Sequence, residues 1–235
     1  MTREQLLSVA RSILFNTETV RAILDGRKTV TRRVVKGLPD CNLMYLETNP
    51  SVYTEDNPDK ERTLNGLWAI FESCGDEYEE CPMRKSAYKV GDILYVRETF
   101  HQNYDGSYAY KAYSPTNSGW SPSIHMPKEA ARIFLRVTDV RVERLQDITE
   151  EQAKNEGISE QEIIKAWNSV YKHKGGFTEK ISENLIRLFG TDSHIIYVFK
   201  NLWNSTIKKQ DLNRYDWDAN PWVWVYELER VIEDA

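Results

Sequence analysis

Residues 13–35 have the sequence ILFNTETVRAILDGRKTVTRRVV and predict three consecutive elements. Ile13 to Phe15 form an apolar run long enough for a buried strand. Thr17 predicts the N-terminal cap of a helix, and the helix would end at Asp25-Gly26, with one apolar face made by Val20, Ile23 and Leu24. Residues 29–35 alternate and are rich in β-branched side chains, which predicts a strand.

Four cations lie within seven residues: Arg27 and Lys28 between the helix and the second strand, and Arg32 and Arg33 on that strand. They are interleaved with the hydroxyls of Thr29 and Thr31. Because like charges this close repel each other, the cluster is expected to meet an anion or a carboxylate. The alternative interpretation is a solvated basic strand edge, which lysine and arginine commonly protect.

Composition limits the classes of function. The chain has 235 residues, of which 40% are hydrophobic, and a net charge of −5. Its mean hydropathy is −0.60. This favours one domain with insertions, without a membrane span or a signal peptide, and a cytoplasmic location by default. A protein that binds long duplex DNA through its phosphates is usually basic, so that class is disfavoured, while a small local basic site is not.

The chain around the central strands predicts an α+β fold. Three further strands are expected at residues 92–100, at residues 131–145 with a bulge or bend near Val140, and at residues 222–231. Capping boxes at Thr149/Gln152 and Ser159/Glu162 predict helices, the first over Glu150–Asn155, and an apolar stripe predicts a third over 194–206. Residues 36–90 and 172–192 are interpreted as two insertions, and residues 208–220 as a polar loop.

The cysteines Cys41, Cys74 and Cys81 are odd in number and lack C-x-x-C spacing, so free thiols are expected. No set of residues has metal-ligand spacing, and neither a metal nor a cofactor is predicted.

Several further residues are candidate ligand contacts. Arg97 and Glu98 are charged on an otherwise apolar strand, so they form either an ion pair at the strand end or the floor of a cleft. The loop before residue 128 carries Trp120, Ser123 and His125, which suit the recognition of a flat base. An equally weighted alternative makes Trp120 and Met126 a plug at the end of a barrel.

Four segments resemble the ASCH domain, a relative of the PUA-like β-barrels, in the form found in bacteriophages and prophages. They are ILDGRKTVTRR (23–33), GDILYVRETF (91–100), WSPSIHMP (120–127) and PWVWVYEL (221–228). The resemblance spans nearly the whole chain in order. It implies one domain over 1–235, with a small PUA-like barrel, peripheral helices and the two insertions.

The resemblance also implies alternative functions. PUA-like barrels commonly hold RNA or a modified base in a cleft, where Arg27, Arg32 and Arg33 would pair with phosphates. Some small ASCH proteins are amidohydrolases that deacylate N4-acetylcytidine, and their lysine, threonine and glutamate match Lys28, Thr31 and Glu156. A phage host-interaction or counter-defence protein is the third alternative. A structural Lys28–Glu156 ion pair is the alternative to catalysis.

Overall fold

The structure is a computed structural model, and it describes residues 1–38, 41–54, 57–72, 82–114, 119–159, 161–164 and 192–231. The fold is α+β, as the sequence predicts. The helices within these ranges are α1 (Arg3–Val9), α2 (Thr17–Leu24), α3 (Glu150–Asn155), α4 (Asp192–Thr206) and α5 (Leu212–Tyr215). In the described part of the chain, no helix is both apolar enough and long enough to cross a membrane.

The main sheet has five strands, which run across it in the order β1 (Arg11–Leu14), β8 (Ile93–Arg97), β11 (Phe134–Arg144), β12 (Trp222–Val231) and β2 (Val30–Val34). β1 pairs with β8 in parallel, and the other three pairs are antiparallel. The first and last strands of this order are adjacent in the sequence and are joined by α2. The two ends of α2 therefore lie next to the two edge strands of the sheet, β1 and β2.

The longest pair of the sheet confirms two predictions. The register of β11 against β12 shifts between Val137 and Asp139, which is the predicted bulge before Val140. β12 is apolar on both faces, because one face enters the core through Trp224, Tyr226 and Leu228 and the other packs Val223 and Val225 against the helices. A strand buried on both faces reads as a continuous apolar run.

A closed barrel is not observed among the described strands, since β1 and β2 are the two edges of an open sheet. The edges nevertheless approach each other near the end of β1. Arg33, on β2, donates from Nη2 to the carbonyl of Leu14 at 3.2 Å. A side chain, instead of a backbone ladder, joins the two edges at this point.

The described residues between 36 and 90 form two small sheets. One has three strands in the order β3 (Leu43–Thr48), β6 (Leu67–Phe71) and β7 (Met83–Lys85), and the other is a hairpin of β4 (Ser51–Thr54) and β5 (Asn57–Thr63). Phe71 packs edge-on against Trp222, with ring centroids 5.8 Å apart. The three-stranded sheet therefore shares the core of the main sheet. A second hairpin, β9 (Phe100–Gln102) with β10 (Tyr108–Tyr110), follows β8.

Local signals placed α3 correctly. It spans Glu150–Asn155, and Thr149 and Gln152 form the predicted capping box. Ser159 and Glu162 form the second capping box, ahead of a helical turn at 161–164. The rest of the helix predicted after the second capping box and nearly all of the insertion predicted at 172–192 lie outside the described residues. The described residues at their ends are Ile163, which is buried, Ile164 and Asp192.

Three predictions are corrected. The cap of α2 is Asn16, whose Oδ1 accepts from the backbone N–H of Thr19 at 2.8 Å, and Thr17 is the first helical residue. Residues 208–220 contain a 3₁₀ turn and α5 instead of a continuous loop. Cys41 is disulfide-bonded, and its partner lies outside the described residues. The expected free thiols followed from compartment and spacing, and neither determines which cysteines a fold brings together.

Candidate functional site

The loop after α2 and the end of α3 meet through their backbones. Thr29 N–H donates to the carbonyl of Asn155 at 2.9 Å, and Lys28 and Glu156 form an isolated antiparallel bridge. Gly157 makes this approach close, because it has φ +99° and an added Cβ would lie 2.7 Å from the Cβ of Ala22. Only glycine satisfies both conditions without strain. The sequence thus fixes the acidic end of α3 against the cationic turn.

Lys28 is buried at this junction, with 8% of its surface exposed. Its Nζ donates to the carbonyl of Val30 at 2.7 Å, to the carbonyl of Glu156 at 3.0 Å and to Oε2 of Glu156 at 2.5 Å. An ammonium has three donors, and all three are used. Burial lowers the pKa of Lys28 from its ordinary value, and the attraction of Glu156 only partly offsets this.

Arg32 completes the pairing of Glu156. It is 3% exposed and donates to Oε1 of Glu156 at 3.1 Å, to Gln152 at 3.0 Å and to Glu143 at 3.3 Å. The cationic cluster therefore meets a carboxylate, as the sequence predicts. Arg32 itself was predicted to pair with a ligand phosphate, but both of its terminal nitrogens donate to protein acceptors.

Thr31 and Arg33 lie on the same strand, and their side chains are in contact. Arg33 donates from Nη1 to Oγ1 of Thr31 at 3.0 Å and to the carbonyl of Arg32 at 3.0 Å. The guanidinium lies 5.3 Å from the ring centre of Phe15. Thr31 is buried, while Arg33 is exposed. Among the hydrogen bonds of the described residues, none joins Oγ1 of Thr31 to Nζ of Lys28.

These side chains line one cavity of about 470 Å³, named here the lysine cavity. It lies between the end of β1, the first turn of α2, β2 and α4. Lys28, Thr31, Arg32, Arg33 and Glu156 all contribute to its wall, together with Leu14, Phe15, Asn16, Thr19, Val34, Lys36, Phe199, Leu202, Trp203, Thr206 and Ile207. Three candidate catalytic residues and two candidate ligand contacts thus share one open space.

Arg27 lies in a neighbouring cavity of about 810 Å³, on the other side of Glu156. The two cavities share Asn16, Thr19, Glu156 and Leu202 in their walls. Arg27 donates to the carbonyl of Gly157 and to Asp25 at 2.9 Å. Its guanidinium therefore reinforces the turn at the end of α3, beside the lysine cavity instead of within it.

The remaining candidate contacts are elsewhere. Glu98 is 1% exposed and accepts from Arg132 at 2.8 and 2.9 Å, so its ion-pair partner is not the adjacent Arg97. Arg97 donates to the carbonyl of Ile124. Neither residue lines the lysine cavity, so the alternative in which one of them forms the floor of a cleft does not apply to this cavity.

The loop with Trp120, Ser123 and His125 does not line the lysine cavity either. Trp120 packs edge-on against His101 with ring centroids 6.5 Å apart, and residues Ser123–His125 form a 3₁₀ turn. Met126 is buried in an apolar cluster beneath α1. The burial of Met126 fits the interpretation of this loop as a plug better than its interpretation as a contact for a base.

Sequence reasoning missed the wall opposite β2. Phe199, Leu202 and Trp203 of α4 supply it. Phe199 and Trp203 are also buried core residues, as the apolar stripe predicts, whereas Leu202 is 38% exposed, because its face of α4 turns toward the cavity. Lys36, two residues beyond the end of β2, was also missed. Its position next to the cationic cluster was the only signal for it.

In the described part of the chain, no three histidine, cysteine, aspartate or glutamate side chains are grouped so that they could hold a metal ion. Comparisons of the chain with protein-family models, curated proteins and solved structures found no match.

Proposed function

We propose that this protein binds RNA or a nucleotide or nucleoside, modified or not, by taking one nucleobase into the lysine cavity. We also propose that its open sheet is a variant of the PUA-like barrel of ASCH proteins. The observation that carries the proposal is the convergence of Lys28, Thr31 and Glu156 on a cavity of about 470 Å³, which is within the range of small-molecule sites.

The wall combines the two properties that a nucleobase requires. Leu14, Leu202 and Ile207 supply apolar surface that is not buried, against which a flat ring can pack, while Phe15, Phe199 and Trp203 lie deeper in the wall, each at most 6% exposed. Hydrogen-bonding groups come from Thr31, Glu156 and the guanidinium of Arg33. Because Lys28 and Arg32 each bind one oxygen of Glu156, the carboxylate is fixed in place. A fixed acceptor can discriminate between the edges of different bases.

A thermal-unfolding screen against nucleosides, nucleotides and short RNAs tests the proposal. We expect at least one base-containing ligand to raise the melting temperature, since a ligand that binds only the folded state stabilises it. Leu202→Glu places a charge in the cavity wall and should abolish the shift. Tyr197→Glu is the matched control, because Tyr197 is a 44% exposed residue of the same helix and does not line the cavity. A shift that survives Leu202→Glu would place the ligand elsewhere.

The second candidate function is hydrolysis of an N4-acylated cytidine. Two observations favour it: burial lowers the pKa of Lys28, which is what a lysine base requires, and Arg33 donates to Oγ1 of Thr31 at 3.0 Å, which would stabilise a developing alkoxide. Lys28 would first have to lose a proton and move within reach of Oγ1 of Thr31; Oγ1 would then bond to the acyl carbon as its own proton passes to Lys28. The N4–acyl bond would break with return of that proton to the leaving amine, and water would then hydrolyse the acyl ester.

Incubation with N4-acetylcytidine, followed by chromatographic measurement of cytidine, tests this second function. We expect release by the wild type that falls to background in Thr31→Ala. Equal release of cytidine by the two proteins, or no release by either while cytidine binds, would contradict hydrolysis by Thr31 and support the binding function alone.

A further inference from the structure

The lining of the lysine cavity has a charge opposite to that of the whole chain. Four cations and one anion line it, on a protein whose net charge is −5. Lys28 and Arg32 are both paired with Glu156, and Arg32 also with Glu143. The excess positive charge therefore lies on Arg33 and Lys36.

Arg33 is already positioned for an anion. Three of its N–H groups hold the guanidinium against Thr31, Arg32 and Leu14. A guanidinium has five N–H groups, and two of those of Arg33 have no acceptor among the described residues, so we assign them to the ligand. Because the protein bonds fix the orientation of the fork, an anion that binds it does not have to order a flexible side chain.

Lys36 is the second exposed cation of the wall. Its backbone is held in place, since the carbonyl of Lys36 accepts from Nε of Arg84 at 2.9 Å. Among the described residues its ammonium is engaged in no hydrogen bond or ion pair. Arg33 and Lys36 thus present unused donors at the solvent side of a cavity whose buried charges are balanced.

We propose that the lysine cavity takes a mononucleotide in preference to the uncharged nucleoside, with the phosphate bound by Arg33 and Lys36 and the base beside Thr31 and Glu156. This inference rests on the proposed function and narrows its ligand class. A volume of about 470 Å³ suits one nucleotide better than a polymer. The negative net charge of the chain also disfavours contacts with a long phosphate backbone.

Isothermal titration with AMP, CMP, GMP and UMP, each paired with its own nucleoside, tests the inference at low salt. We expect at least one monophosphate to bind about tenfold or more tightly than its nucleoside, because hydrogen bonds to a charged group are the stronger kind. In Lys36→Gln this ratio should fall severalfold, and raising the salt should reduce it in the wild type.

Lys89→Gln is the matched control, because the substitution removes the same charge from a residue that is exposed and does not line the cavity. The ratio should be unchanged in it. Equal affinity for nucleoside and monophosphate would overturn the inference and leave the proposed function standing. Binding of short RNA without any mononucleotide would also overturn it, whereas no binding of any base-containing ligand would overturn both.

Discussion

Nζ of Lys28 lies 2.5 Å from Oε2 of Glu156, across 128 positions of sequence. Both side chains are almost fully buried, and Arg32 binds the second oxygen of the same carboxylate. Removing the carboxylate would leave two buried cations without their shared partner. This pair therefore links the stability of the fold to the geometry of the lysine cavity.

Glu156→Gln should lower the free energy of unfolding by about 3–5 kcal/mol, the usual cost of breaking a buried ion pair from one side. Urea denaturation measures it. Glu151→Gln on the same helix is the control, because Glu151 is exposed, and its effect should stay within about 0.5 kcal/mol. Equal losses in the two variants would show that the pair contributes no more than a surface charge.

The pH dependence of stability should reveal the lowered pKa of Lys28. Burial lowers this pKa below 10.5, so between the folded and unfolded pKa values the unfolded chain binds more protons at this site. The free energy of unfolding then rises with pH across that window. The wild type should gain stability relative to Lys28→Met as the pH is raised toward 10. A relative loss would mean that Glu156 outweighs burial and raises the pKa.

Gly157→Ala should destabilise the protein more than Gly91→Ala. Both glycines have positive φ, +99° and +89°, but an added Cβ meets Ala22 at 2.7 Å only at Gly157, and at Gly91 it meets nothing within 4 Å. Both variants incur the backbone cost of about 1–3 kcal/mol. Overpacking should add about 1–3 kcal/mol at Gly157. Thermal unfolding of the pair measures the difference, and similar values would mean that the junction between α2 and α3 relaxes freely.

Arg132→Met should cost about 3–5 kcal/mol, because it leaves Glu98 buried and unpaired. The double variant Glu98→Gln/Arg132→Met should be more stable than Arg132→Met alone, since the uncompensated charge is gone. Arg97→Met is the control, because Arg97 does not bind the carboxylate of Glu98. Urea denaturation of the four proteins checks this ordering. If Arg97→Met proved the costlier single change, the pairing would be the one expected from sequence adjacency.

The sequence predicted best where the signal is local. The bounds of α3 follow from a capping box and a glycine, both within eight residues. The faces of β12 follow from alternation along one strand. The meeting of the cationic cluster with a carboxylate was also predictable, because four neighbouring cations require an anion.

Long-range contacts were predicted less well. Asn16 and Thr17 are adjacent, and asparagine and threonine are both common helix caps, so the sequence did not distinguish them. Arg97 and Glu98 are adjacent as well, but β8 ends at Arg97, and Glu98, just beyond the strand, pairs with Arg132 instead. The contribution of α4 to the cavity depends on how a helix packs across the sheet, which its apolar stripe does not specify. The open edge between β1 and β2 has no sequence signal.

The contact of Arg33 with Leu14 has a kinetic consequence. Since one exposed side chain, instead of a ladder of amides, closes the gap between the two outer strands, a guest can enter the hollow without separating them. Only the bond from Nη2 to Leu14 has to open, while Nη1 stays bound to Thr31 and Arg32; such a side-chain motion takes picoseconds to nanoseconds, whereas opening of backbone elements takes microseconds or longer. Association should therefore proceed at the rate of diffusional encounter, with no slow gating step before it.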